Sequence, residues 1–327
     1  MLPTNLLEYI QKFLAQVQDC DRIRAPDEEK RKKAQETIDE TARLRGRAFI
    51  YPMIPTGKAS GPFVEMTDGS VKMDLITGIG VHLFGHGHPE LILAGLRASL
   101  KGTSMQGTLM PGQEYGEILK LLVGAASGET LPHLPTEARA DLVGGWLTTC
   151  GTMANELALK IVRQKKHPAF KLITFKNSFA GRSTAMQELT DEPKYREGQP
   201  TFGQFEHIPF FDTKKDLETN ISETKATLSA LCAKEAYCGF GVEIIQGEGG
   251  AFRTAPREWW VAVLEHVRSL GLAVWFDEVQ TFGRTGEVFA FQRLGLGKYV
   301  DVVSLAKPLQ AAAVLWRKDY EPKPGLM

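Results

Sequence analysis

From about residue 89 the sequence alternates between two kinds of segment. Helical patterns cover 89–101, 112–125, 151–166, 213–233 and 256–270. Around them stand short β-rich or apolar runs: "DLVGGWLTT", "KLITF", "GFGVEII", "LAVWFDE", "DVVSL" and "AAAVLW". Strands alternating with helices predict βαβ units, hence an α/β fold with a mostly parallel sheet flanked by helices. Runs this apolar belong to strands covered on both faces. Such sheets bind ligands beyond the carboxyl ends of their strands. The polar residues just after each run are therefore the ones that matter for function.

The first 75 residues read differently. "MLPTNLLEYIQKFLAQVQ" is an amphipathic helix with Leu6, Leu7, Ile10, Phe13, Leu14 and Val17 on one side. It lacks the basic start and continuous apolar centre of a secretory signal. "PDEEKRKKAQETIDETARLRG" is a solvated helix, and "FVEMTDGSVKMDLITG" a hairpin about Asp68 and Gly69. The expected organisation is a helical and hairpin segment over 1–75, followed by a large domain over 76–327.

Charge and cysteine usage narrow the function classes. Lys plus Arg number 39 and Asp plus Glu 39, so no basic field recommends nucleic acid or an anionic membrane. No apolar run approaches the ~20 residues that span a bilayer. Cys20, Cys150, Cys232 and Cys238 are scattered without paired or histidine-rich ligand spacing. That pattern argues against disulfides and a metal site, and for a reducing, cytoplasmic setting.

Five strand ends carry chemistry. "CGTMANELALKIVRQ" opens a helix on Gly151 and Thr152, whose backbone N–H groups suit a phosphate; the same residues serve an ordinary helix start capped by Thr152 or Asn155. "LAVWFDEVQ" ends a buried strand on Asp277 and Glu278, followed by Gln280. A carboxylate there needs a partner, or else caps a turn. "GFGVEIIQGEGG" places Glu243 within a strand and Glu248 in the glycine-rich loop after it, candidates for proton transfer or for holding an arginine. "KNSFAGRSTAMQELT" offers Phe179 as an aromatic plane and Arg182 as a carboxylate fork, or else a core ring and a surface cation. Finally, "DVVSLAKPLQAAAVLW" is an apolar stretch that opens on Asp301 and is interrupted by a single charge, Lys307. It either points to water from a turn or sits in a pocket that lowers its pKa and frees a nucleophilic amine. Taken as a set, a phosphate cradle, an aromatic face, a strand-end acid and a lone lysine are what pyridoxal phosphate requires.

On these segments the chain resembles the class III, omega-type aminotransferases of fold type I. The likeness runs from about Tyr51 to the end and includes "DLITGIGVHLFGHGHPE", "VEIIQGEGGAFRTAPREWW" and "VWFDEVQTFGRTGEVFAFQRLG". It implies a seven-stranded large domain and Lys307 as the Schiff-base lysine and proton shuttle. It makes Asp277 the partner of the ring nitrogen, with Val279 packed opposite Phe179 and Gln280 on the phenolic oxygen. Gly151 and Thr152 would hold the phosphate. Arg182, Glu243, Glu248 and Tyr51 would meet the substrate. The implied partners are an amino donor, a keto acid such as 2-oxoglutarate, and a second copy in a homodimer. The sequence departs from the family's pattern at Met153, Ala180, Ile244 and Pro308, and a glutamine after the lysine is similar to lysine 6-aminotransferase-like members. The chain stops near "WRKDYEPKPGLM", where members continue into a small domain, so that domain is expected to be missing. Competing readings are a non-catalytic remnant of the fold, or an aminomutase or decarboxylase built on the same residues.

Overall fold

Runs of four to seven residues as apolar as those above can bury both faces only between layers of helices. The computed structural model describes residues 5–17, 20–99 and 111–326. It forms two compact units, 1–111 and 112–327, whereas the sequence alone places a division after residue 75.

Unit 1 holds α1 (Asn5–Val17), α2 (Glu28–Arg45), a meander of β1 (Pro55–Ser60), β2 (Phe63–Met66) and β3 (Val71–Met73), the short turn α3 (Thr77–Gly80) and α4 (Pro89–Ser99). Asp27 caps α2 by accepting the Glu29 and Lys30 N–H groups at 3.1 and 3.0 Å, and the helix buries only Ala34 and Ile38, as a solvated helix should. β2 and β3 form the expected antiparallel hairpin about Gly69, whose φ of 79° suits glycine. β1, "PTGKAS", has no apolar alternation to announce it.

Unit 2 holds α5 (Gln113–Ser127), β4 (Leu142–Thr148), α6 (Gly151–Lys166), β5 (Lys171–Phe175), α7 (Thr184–Leu189), β6 (Phe205–Ile208) and α8 (Leu217–Cys232). There follow β7 (Tyr237–Val242), α9 (Arg257–Ser269), β8 (Ala273–Asp277), α10 (Ala290–Arg293), β9 (Val302–Leu305) and β10 (Ala312–Arg317). Its sheet has seven strands in the order β4-β10-β9-β8-β7-β5-β6, all parallel in sense except β10, which runs antiparallel to both neighbours. The expected α/β fold with a mostly parallel seven-stranded sheet is the one observed.

Period-two alternation sorts the strand residues between two cores. Ala273, Trp275, Val302 and Val314 face α6, whose Ala158, Leu159 and Val162 lie on them. Val274, Phe276, Val303 and Leu315 face the opposite side, where α9 packs through Trp259, Trp260, Val263 and Leu264. Both tryptophans are fully buried, worth about 4–6 kcal/mol each in transfer free energy before entropy is counted. β6 escapes a reading by apolar runs because "FEHI" breaks its run with Glu206 and His207. It is an edge strand, paired only to β5.

Because β4, β5, β7, β8 and β9 run the same way, the segments after them emerge at one edge. Those segments carry Gly151, Phe179, Glu243, Asp277 and Lys307.

Candidate active site

α6 begins one turn after β4. Cys150 is extended (φ −158°) and no side chain caps the helix; its carbonyl accepts from Ala154 N–H at 3.0 Å. Among the described residues the N–H groups of Gly151, Thr152 and Met153 have no acceptor, and the positive end of the helix dipole adds to their pull on an anion. Gly151 fits closely here. A Cβ at this position would meet a Val279 methyl at 2.7 Å.

Asp277, the last residue of β8, continues the period of Ala273 and Trp275 and so faces α6. Its Oδ2 accepts from Asn155 Nδ2 at 2.7 Å and its Oδ1 from Val279 N–H at 2.9 Å. Burial pushes its carboxyl above the usual range, against which these donors and the Lys307 charge pull down. Asn155 also donates to the Ala180 carbonyl at 2.9 Å, tying α6 to the loop after β5.

Glu243 is the first residue after β7, not within the strand as its run suggests. Its two oxygens accept from Phe179 N–H and Gly247 N–H, each at 3.0 Å. Desolvation and the Asp277 charge raise its carboxyl strongly. Glu243 thus clamps the loop bearing Phe179 to the loop bearing Glu248. Phe179 is half-buried, edge-on to Tyr195 at 6.0 Å, and Arg182 lies exposed with its guanidinium 4.4 Å from the Tyr195 ring centre.

Lys307 stands three residues beyond Ser304, the residue that pairs with Asp277 across β8 and β9. Its φ is 46°, uncommon for a residue with a side chain, and Pro308 makes the next residue of a tight 3-10 turn closed by Gln310 N–H on Lys307 O at 2.8 Å. The turn holds the lysine half-buried, with Nζ donating to Gln280 Oε1. Burial lowers its pKa, with Arg284 acting in the same sense and Glu248, Asp277 and Glu243 opposing. Gln280 is placed by Gly247, which packs on its side chain.

The structure therefore brings together Gly151, Thr152, Phe179, Glu243, Asp277, Val279, Gln280 and Lys307. Glu248 is exposed in its glycine-rich loop, though its charge reaches Lys307. Tyr51 lies in unit 1, exposed and outside regular structure. Sequence reasoning sees in Asn155 only a helix cap, and it does not see the clamp by Glu243. A buried polar residue on the apolar face of α6 is the available signal for Asn155.

The sequence pattern of the family described as Aminotransferase class-III matches residues 47–315. The chain belongs to this family. An acetylornithine aminotransferase of Bradyrhizobium diazoefficiens is 33% identical over 264 residues, 77% of this chain and 56% of its own length. A putative [LysW]-aminoadipate semialdehyde/glutamate semialdehyde transaminase of Pyrococcus horikoshii is 31% identical over 251 residues, 76% of this chain and 60% of its own. The chain thus spans little more than half the length of these curated relatives. Among solved structures, a Bacillus anthracis aminotransferase superposes with a TM-score of 0.74 at 20% identity, covering 90% of this chain and 68% of its own. The ornithine aminotransferase of Toxoplasma gondii gives 0.72 at 22%, covering 90% and 66%.

Class-III aminotransferases depend on pyridoxal phosphate, and the residues present fit that group. Asp277 is a buried carboxylate with two neutral donors and no cation bonded to it among the described residues. An uncapped helix N-terminus lies on the same face, where a side chain at 151 would close the space. An amine with a depressed pKa stands at the next strand end.

Proposed function

We propose that the chain binds pyridoxal phosphate covalently through Lys307 and is the large-domain part of an aminotransferase. The enzyme would move an amino group from an amine or omega-amino acid to a keto acid such as 2-oxoglutarate. When bound, the cofactor supplies an aldehyde for attachment to amines and a ring that accepts electrons. The chain's own residues do the rest. Gly151 and Thr152 would offer N–H groups to the phosphate, and Phe179 and Val279 would flank the ring. Asp277 would keep a proton on the ring nitrogen, and Gln280 would donate to the phenolic oxygen. Lys307, its charge disfavoured by burial, offers a free amine as base and nucleophile. Arg182 would take the substrate carboxylate and Glu248 the remainder of the substrate, and Glu243 would serve them by fixing the two loops.

One observation carries the reading: buried Asp277 at the end of β8 and half-buried Lys307 in the turn just after the adjacent parallel strand β9 do not neutralise each other through a direct hydrogen bond. The test is the visible absorption of the purified chain with added pyridoxal phosphate. A band that Lys307→Ala removes, and that borohydride fixes covalently to Lys307, supports the reading; no band in the unsubstituted chain sinks it. The same reading carries a cytoplasmic homodimer, which light scattering would check for its oligomeric part.

A further inference from the structure

Asn155 is 1% exposed on the face of α6 that meets the sheet, between Ala154 and Ala158, which are fully buried. Its Nδ2 serves two acceptors, Asp277 Oδ2 at 2.7 Å and the Ala180 carbonyl at 2.9 Å. Those two acceptors fix the amide's orientation, because turning it over would set an oxygen against both. The remaining Oδ1 is buried with no donor among the described residues. A buried orphan acceptor is unfavourable, a cost an apolar side chain of similar volume would not carry. Packing therefore does not explain an asparagine here. Contact with Asp277 does.

We propose that Asn155 is a positioning residue: its amide holds the Asp277 carboxylate in the orientation and charge state that a protonated ring nitrogen requires. The proposal rests on the reading that Asp277 meets that nitrogen. Around Asp277 stand Glu243 from the end of β7, which disfavours its charge, and Lys307 from the turn after β9, which favours it. Glu278 leaves the same strand on the far face, and Glu248 and Arg284 act on Lys307. Among the described residues, Asn155 is the side chain that donates a hydrogen bond to this carboxylate.

The test is the dissociation constant of pyridoxal phosphate across pH, read by tryptophan quenching, for the unsubstituted chain, Asn155→Ala, Asp277→Ala and the double variant. Asn155→Ala should weaken binding about 10- to 100-fold, the worth of a hydrogen bond to a charged group. It should also move the acid limb of binding to higher pH, since Asp277 without its donor takes up a proton sooner. In the Asp277→Ala background the same substitution should change binding by less than about twofold. A loss equal at every pH, or undiminished in that background, overturns the proposal in favour of simple packing. A second measurement needs no folded variant at Asn155. In the cofactor-free chain the Asn155 side-chain amide resonance should follow a titration that Asp277→Ala abolishes. A resonance that does not titrate also overturns it. Failure of the unsubstituted chain to bind pyridoxal phosphate would sink the functional reading instead, and the resonance would still decide the contact.

Discussion

Asp277 and Glu278 leave the end of β8 on opposite faces of the sheet. Both are buried, and burial raises the proton affinity of both, Glu278 to about 7. The surroundings differ. Glu278 is fully buried and accepts from Thr281 Oγ1 at 2.6 Å, Ala290 N–H at 2.8 Å and Phe291 N–H at 2.9 Å. It closes the loop between β8 and α10 and has no room for a ligand. Asp277 has two donors and remains 7% exposed beside an uncapped helix start. A perturbed carboxylate therefore marks a site only when its lone pairs and its approach are left open. The α6 face leaves a carboxylate and a helix start open, and the far face holds itself together.

The sharpest way to break this comparison is to remove each carboxylate in turn. Glu278→Ala orphans three buried donors at about 1–3 kcal/mol each, so unfolding stability should fall by about 3 kcal/mol or more in mildly acidic buffer. All five tryptophans lie in unit 2, so urea unfolding followed by their fluorescence reads this directly. Asp277→Ala should cost little stability, yet weaken pyridoxal phosphate binding about 100-fold. Similar stability losses for the two variants would erase the distinction between the faces.

A pH series tests the same contrast. Folded Glu278 takes its proton at about 7 against 4.5 in the open chain. Its stabilisation is then complete below 4.5 and is lost as pH rises through about 7, a change of about 3 kcal/mol. Asp277 and Glu243, also raised, contribute with the same sign. A cation at Asp277 reverses the sign of that residue's part alone. Added pyridoxal phosphate should thus flatten the slope without abolishing it, and Glu278→Gln should remove Glu278's share. An unchanged slope with saturating cofactor would show that nothing cationic meets Asp277.

Much of this is legible in the order of the amino acids. An apolar run that stops at a carboxylate locates Asp277, and the charge that interrupts the last apolar stretch locates Lys307. "KLITF" is β5 to the residue. What stays hidden depends on partners far along the chain. Asn155 and Asp277 are 122 positions apart, so no local pattern links them. The parity that turns Glu278 from Asp277 is present in "LAVWFDE", but the N–H groups that saturate it come from residues 290 and 291. Glu243 reads as part of its strand because "GFGVEII" stays apolar past the point where pairing ends.

A smaller effect belongs to Gly151. The Cβ of Gly151→Ala would meet the Val279 methyl at 2.7 Å, at the mouth of the proposed phosphate cradle. Val279 has to shift, which costs about 1–3 kcal/mol when space is short. Cofactor affinity should fall about tenfold, and the tryptophan-monitored unfolding midpoint should fall by less than for Glu278→Ala. Unchanged affinity would place the phosphate elsewhere.

The smallest stability effect is expected at Arg182, and it sharpens the contrast with Glu278. The guanidinium is exposed and rests on the Tyr195 ring at 4.4 Å, with Phe179 further off at 5.9 Å. Arg182→Lys keeps the charge but loses the planar fork and most of the stacking. An exposed substitution of this kind changes stability by no more than about 0.5 kcal/mol. If Arg182 receives a carboxylate through that fork, KM for a carboxylate-bearing amino donor rises about tenfold, with kcat and KM for a donor lacking the carboxylate unchanged. Equal changes for both donors would mean that the arginine supports the Phe179 loop through Tyr195. In that case the aromatic pair, rather than the charge, links this edge of the α6 face to the reaction.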